Sequence, residues 1–298
     1  MPREGPPLRR PQGTSPSGTH RTVTSLQNDR VKLIRSLEMR KTRRETGLFT
    51  AEGASILITA RDNGWVPHML VTGPGASEAT STTALQAWAA SAGADRLDVS
   101  GPVLEKIAAK DNPQSMLGVF EQRWASLPAS DAGTGLLPRE PGSAALPPPL
   151  WVVLEEIRDP GNLGTILRTV DAAGGSGIIL AGNTCDPFSR EAVRASMGSI
   201  FAVPIARSDR DELVSFVQAW PGDVIGTHLE GRIDYREAGY RSPVLLVMGN
   251  EGAGLSARVA AACRKLVRIP MAGRLDSLNL AVATALMLFE IRRSDLHL

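Results

Sequence analysis

The sequence predicts an α/β protein in two parts, the second built on a parallel sheet. Three observations carry this. Short apolar runs alternate with helical stretches along nearly the whole chain. In the second half these runs are continuous in Val, Ile and Leu, as in strands covered on both faces. Between the halves lies "LPASDAGTGLLPREPGSAALPPPL", residues 127–150, with six prolines, three glycines and no periodicity, which reads as a linker.

Taken in order, residues 1–21 form a leader rich in Pro, Gly, Ser and Arg, expected to be disordered. From Val23 the pattern predicts an amphipathic helix through "SLQNDRVKLIRSLEMRKTRRETG", with Leu26, Val31, Ile34 and Leu37 opposite a basic face. "LFTAEG", a helix through "ASILITARDNG", a strand at "PHMLVTG", a helical "LEKIAAK" and the strand "LGVFEQ" complete an N-terminal domain over 22–126. The second domain, 151–298, opens on the strand "WVVLEEI", a helix at about 162–174 and the strand "SGIILAG". Then come a helical "REAVRASMGS", an extended "FAVPIA", a helical "RDELVSFVQAW" and the strands "DVIGTHL" and "SPVLLVMGN". A short helix near 256–263, the strand "KLVRIPM" and a long apolar C-terminal helix follow.

Bulk properties narrow the function classes. With 298 residues, 42% apolar and 21% charged, the chain can bury a sizeable core. No apolar run approaches the ~18–20 residues of a membrane span. The N-terminus lacks the apolar stretch of a secretory signal, so cytoplasm is the expected location. Cys185 and Cys263 form no CxxC and the four histidines are scattered, so neither a disulfide framework nor a metal site is expected. The net charge of +2 hides an asymmetry. Residues 1–46 hold 11 Lys and Arg against 4 Asp and Glu, a surplus of seven positive charges, and suggest a polyanionic partner.

Chemistry concentrates in three polar stretches at predicted strand ends, where open α/β sheets gather ligands. "EEIRDPGNLGTILRTVDAAG", 155–174, opens a helix at Asn162 and carries Arg168 six residues on; an N-cap and a surface arginine would be the bland alternative. "LLVMGNEGAGLS", 245–256, runs a strand into glycines that let a ligand approach the backbone. It is neither GxGxxG nor GxxxxGK[ST], and Glu251 argues against an anion. A tight turn without ligand would also fit. "RLDSLNLAVATALMLFEIRR", 274–293, heads the long helix with more polar groups than a cap requires: Asp276 or Ser277 alone could cap it, and Asn279 is surplus. The helix behind is apolar nearly all round, which implies burial on more than one side.

In their order, "DPGNLGTILRT", "GNEGAGLS" and "IPMAGRLDSLNLAVA" resemble the motifs of the SpoU (TrmH-like) branch of the SPOUT RNA methyltransferases, over about 151–298. The front part is similar, more loosely, to that family's ribosomal-protein L30e-like RNA-binding extension. The resemblance implies a trefoil-knotted α/β domain, an exception to unknotted topology. It also implies S-adenosylmethionine as cofactor, a homodimer through the C-terminal domain, and methyl transfer to a ribose 2′-hydroxyl of RNA. Ribosomal RNA is favoured over transfer RNA; a non-catalytic RNA-binding relative is the alternative from another class. The implied catalytic group is Arg168 with Asn162, Glu251, Ser277 and Asn279. Thr227, Leu229, Gly249, Asn250, Gly252, Ile269, Met271 and Leu278 would hold the cofactor. The basic run Arg40, Lys41, Arg43 and Arg44, with Arg194, would grip RNA.

Overall fold

Five short strands of the first part pair because each alternates or buries apolar residues. A computed structural model describes residues 18–76, 80–108, 113–128 and 148–297. The elements are β1 (His20–Val23), α1 (Asp29–Ser36), α2 (Arg40–Thr46), β2 (Leu48–Glu52), α3 (Ala54–Asp62), β3 (Pro67–Thr72), α4 (Thr80–Ser91), β4 (Asp95–Val99), α5 (Gly101–Ile107) and β5 (Met116–Glu121). They form a sheet of order β1-β4-β3-β5-β2, with β5 antiparallel to both neighbours. Residues 1–17 of the expected leader and 129–147 of the expected linker lie outside the described residues.

The single helix expected from Val23 is instead a strand and two helices. Val23 closes β1 against Val99. The Asn28 side chain accepts the Arg30 N–H at 2.9 Å and starts α1 only there. Between α1 and α2 the chain turns, and Arg43 closes that turn from below. Its Nη1 donates to the carbonyls of Leu37 and Glu38 at 2.7 and 2.8 Å, groups left without partners by the end of α1. Its Nε and Nη2 grip Asp186 of the second part at 2.9 and 2.8 Å. Arg43 is only 4% exposed. This corrects its assignment to the RNA-gripping run, because all its donors face inward.

The second part comprises β6 (Leu150–Glu155), α6 (Pro160–Ala172), β7 (Gly177–Ala181), α7 (Arg190–Ala195), a 3-10 turn at Ser199–Phe201, β8 (Ile205–Ser208), α8 (Arg210–Ala219), β9 (Asp223–Thr227), β10 (Ile233–Asp234), β11 (Val244–Met248), α9 (Ala257–Ala262), β12 (Lys265–Arg268) and α10 (Leu280–Ile291). All seven strands are parallel, in the order β10-β12-β9-β11-β6-β7-β8. The extended run expected at "FAVPIA" begins as the 3-10 turn, and only its end joins the sheet. Across the middle strands Ile178, Val152, Leu246 and Ile225 stand in one register row, each fully buried. Their side packs against α6 and α10, while Val153, Ile179, Leu245 and Val247 face α8 and α9.

The two parts share one core. Phe49, Trp65 and Phe120 of the first meet Phe188 and Phe201 of the second, with centroids 4.8–5.8 Å apart across the seam. The Trp65 Nε1–H donates to the Phe201 carbonyl at 2.8 Å. Four of the chain's six phenylalanines are used here, so the seam is built as an interior rather than as a hinge.

Candidate active site

The site grows from the start of α6. Asp159, not Asn162, is its N-cap: Oδ1 accepts the Asn162 N–H at 2.6 Å, and Pro160 takes the first helical position, where no N–H is needed. This moves the helix start two residues ahead of its sequence expectation and leaves the Asn162 side chain free. Its Nδ2 points at Glu251 Oε1, 3.4 Å away, and its Oδ1 accepts from Asn279 Nδ2 at 2.9 Å. Glu251 also accepts the backbone N–H groups of Arg158 and Asp159 at 3.1–3.3 Å. A carboxylate there satisfies donors just ahead of α6 and complements its dipole. Three stretches, the first about ninety residues or more from the other two in sequence, are thus tied by hydrogen bonds at one point.

Asn279 is no surplus group. It is the N-cap of α10, its Oδ1 accepting from Ala281 and Val282 N–H at 2.9 and 3.3 Å while its amide holds Asn162. Asp276 and Ser277 stand outside the helix. The helix is also less enclosed than its composition suggested: Val282, Leu286 and Phe289 are 49%, 38% and 47% exposed along one face.

The glycine loop after β11 folds on Asn250. Its Oδ1 accepts from Gly252 and Ala253 N–H, its Nδ2 donates to the Glu156 carbonyl at 2.8 Å, and its backbone bridges Gly254. Gly249 must lack a side chain, since a Cβ would lie 2.1 Å from the Gly254 carbonyl carbon. Gly254 at φ +68° takes the left-handed turn that returns the loop.

Beside this loop opens a cavity of about 460 Å³. All eight residues expected to hold a cofactor line it: Thr227, Leu229, Gly249, Asn250, Gly252, Ile269, Met271 and Leu278, joined by Glu251 and Ser277. The Asn250 amide is committed to the loop, so the backbone of this segment is what it offers a ligand. Leu229 and Leu278, 53% and 37% exposed, stand uncovered at the rim. A flat heterocycle between aliphatic side chains, with a polar chain along the loop, fits such walls. Sequence reading missed His228, Glu230 and Asp276, which also line it. Each neighbours a residue it did name, and the rule that ligands gather at strand carboxyl ends would have reached them.

Arg168 is placed apart. Six residues beyond Asn162, it lies about 9 Å along α6 and on another face. It is exposed, and among the described residues its side chain makes no ion pair or hydrogen bond. Arg40, Lys41 and Arg44 are exposed on α2, Lys41 lying 3.9 Å from Glu45. Arg194 is exposed on α7 and borders a cleft between the parts with Thr50 and Gln114. Burial pushes the thiols of Cys185 and Cys263 up to about 12, and neither is in a disulfide. No described helix is long and apolar enough to cross a membrane.

Comparison with known proteins accords with this geometry. Residues 149–289 match the model of the SpoU rRNA Methylase family, and residues 28–118 that of the MRM3-like substrate binding domain. An uncharacterized tRNA/rRNA methyltransferase of Synechocystis is 33% identical, over 92% of this chain and 94% of that protein. The 23S rRNA (guanosine(2553)-2'-O)-methyltransferase RlmP of Bacillus subtilis is 28% identical over 91% and 98%. The crystal structure of an AdoMet-bound rRNA methyltransferase from Sinorhizobium meliloti superposes with a TM-score of 0.82 at 46% identity, covering 94% of this chain and all of that one. Converging motifs, a cavity walled by their loops, and relatives spanning both parts lead to one conclusion: this chain belongs to the SpoU RNA methylase family.

Proposed function

We propose that the protein transfers a methyl group from S-adenosylmethionine to a ribose 2′-hydroxyl of RNA, with ribosomal RNA as the substrate. The observation that carries this is the hydrogen-bonded junction of Asn162, Glu251 and Asn279 beside a cavity lined by all eight expected cofactor residues. Relatives named as rRNA 2′-O-methyltransferases, and an AdoMet-bound neighbour, support the donor and the acceptor.

The cofactor supplies a methyl group on a sulfonium, which a nucleophile takes by in-line attack. The chain's own work is positioning. Leu229, Ile269, Met271 and Leu278 would clasp an adenine, and the backbone from Gly249 to Gly252 would meet the polar end. Asn162 and Asn279 hold each other and present the remaining amide capacity to a ribose; Ser277 beside them adds a hydroxyl. Glu251 holds the glycine loop against the start of α6. Arg168 is the essential cation. A guanidinium keeps its proton in proteins, so its task is to steady the developing alkoxide or its neighbouring phosphate rather than to act as base.

One chain leaves Arg168 away from the junction, and a second copy would bring one to it. The stripe Val282, Leu286 and Phe289 on α10, beside the exposed face of α6, supports a homodimer built there. The long return from β12 to α10, which packs on α6, supports the trefoil knot, and the five-stranded order of the first part suits an L30e-like RNA-binding module; an enzyme acting on ribosomal RNA would work in the cytoplasm. The test is transfer of labelled methyl to ribosomal and transfer RNA pools, wild type beside Arg168→Ala. Alkali-resistant label in ribosomal RNA, lost in the variant, is expected. Label confined to transfer RNA would move the substrate class. No label and no cofactor binding would overturn the reading.

A further inference from the structure

A second cavity, about 260 Å³, opens at the carboxyl ends of β7 and β8 where α2 crosses from the first part. Arg40, Arg44 and Arg207 line it together with Gly182, Thr184 and Cys185. Three guanidiniums share this space without a carboxylate partner among the described residues. The acids nearby are engaged elsewhere: Asp186 is gripped by Arg43 at 2.8 Å, and Glu45 faces Lys41. Like charges held together without a counter-ion repel, an arrangement that an incoming anion relieves. Partial burial, and the cations Arg40 and Arg44 working against the pull of Asp186, hold Arg207 below the ordinary guanidinium range.

The cavity is also preorganised. Arg207 lies flat on the Trp124 ring, 3.3 Å from its centroid, and Trp124 is braced edge-on by Phe188 at 5.1 Å. Stacking occupies the faces of the guanidinium and leaves its N–H edge free for an oxyanion. Arg40 is tethered by donating to the Thr184 carbonyl at 3.1 Å. The same loop joins the cavity to the junction: Cys185 N–H donates to the Ile157 carbonyl at 2.8 Å, and the next two residues, Arg158 and Asp159, are those whose N–H groups hold Glu251.

We propose that Arg40, Arg44 and Arg207 form a phosphate-binding pocket at the seam between the two parts, which takes a backbone phosphate of the RNA flanking the methylated nucleotide. The inference rests on the RNA reading above and extends it to Arg207 and Trp124, neither of which the motifs contain. It makes the seam part of the RNA path, so that both halves of the chain fix the register of the substrate at once.

The test is binding of end-labelled ribosomal RNA over a salt series, with cofactor affinity measured alongside, for wild type and for Arg207→Gln, Arg44→Gln and Arg258→Gln. Arg258 is exposed on α9 outside this cavity and controls for the loss of one positive charge. Arg207→Gln and Arg44→Gln should each weaken RNA binding about tenfold and flatten the slope of log K against log salt by roughly 0.7–1. Arg258→Gln should change affinity less than about twofold, as removal of a distant charge does, and cofactor affinity should be equal in all four. Should Arg207→Gln lose its packing on Trp124 and melt early, Arg44→Gln, exposed on its helix, carries the comparison. Both cavity variants binding RNA as tightly as Arg258→Gln would overturn the pocket and leave the RNA reading intact. A wild type that binds the cofactor and no RNA would overturn the RNA reading, and the pocket with it.

Discussion

Asn279 does two jobs with one side chain, and the two can be separated. Its carbonyl caps α10 and its amide holds Asn162. Asn279→Ala should lose both, costing about 1 kcal/mol of stability from the cap together with most methyl transfer. Asn279→Asp keeps an acceptor for the cap but loses the donor. Its unfolding free energy in urea should stay within about 0.5 kcal/mol of wild type, since Asp and Asn cap equally well, while methyl transfer falls. Equal activity in Asn279→Asp and wild type would show that the link to Asn162 plays no part in catalysis. Arg43 argues differently. It sat in a basic run on an amphipathic pattern, yet its guanidinium is interior. Replacing it with Met strands Asp186 and should cost about 3–5 kcal/mol. Adding Asp186→Leu should recover, in urea unfolding, the part due to the stranded carboxylate but not the lost bonds to the Leu37 and Glu38 carbonyls or from the Phe188 N–H. A double variant as unstable as the two single losses summed would deny the pairing.

At the scale of elements, α10 shows how a helix can be apolar all round without being buried in one chain. Val282, Leu286 and Phe289 recur on one face, at spacings of four and three. For the homodimer proposed on this face, Phe289→Asp should leave the fold intact and give a monomer in sedimentation where wild type is dimeric, with loss of activity; a variant that sediments as wild type does would overturn this interface. The start of β4, where it meets the chain entering the edge strand β1, offers a pH test. Asp95 is partly buried, which alone would raise its pKa, but the Thr19 N–H and hydroxyl at 2.9 and 2.7 Å and the Arg30 guanidinium hold it below the ordinary carboxylate range. A depressed folded value contributes stability above the unfolded pKa of about 3.9, and that contribution is lost as pH falls through the folded value. Asp95→Asn should thus cost about 1 kcal/mol at pH 6 and much less near pH 2, read as the difference in urea midpoint. A cost independent of pH would assign the effect to shape rather than charge.

At the scale of the molecule, the aromatic seam makes two sequence modules into one folding body. Trp65, Phe120 and Phe201 lie in the same buried cluster as the strands and helices of the second part. That continuity also brings Arg40 and Arg44 of one module beside Arg207 of the other. Two modules on a flexible tether would present their cations independently; packed through Phe49, Phe188 and Trp65, they present a single surface.

The alternation of strands and helices, the parallel second sheet and the three polar loops were legible in the sequence because each depends on local signals: β-branched runs, glycines at tight turns, side chains able to cap. The cavity residues came from the resemblance of the three motifs to a known family rather than from local signals; the residue pattern alone said only that ligands gather at strand ends of a parallel sheet. What the sequence could not distinguish were partners remote along the chain. Nothing in "MRKTRRET" separates Arg43 from Arg44; only the turn between α1 and α2, and Asp186 more than a hundred residues away, turn one inward and leave the other in solvent. Nor does "SLN" say that Asn279 faces Asn162, or "AVATALMLF" which face stays uncovered. Composition and periodicity determine which elements form and that each carries an apolar face, because hydrophobic burial is additive and local to its pattern. Tertiary structure alone decides which polar groups meet, because a hydrogen bond or ion pair depends on distances of a few ångströms between segments that the chain order keeps apart.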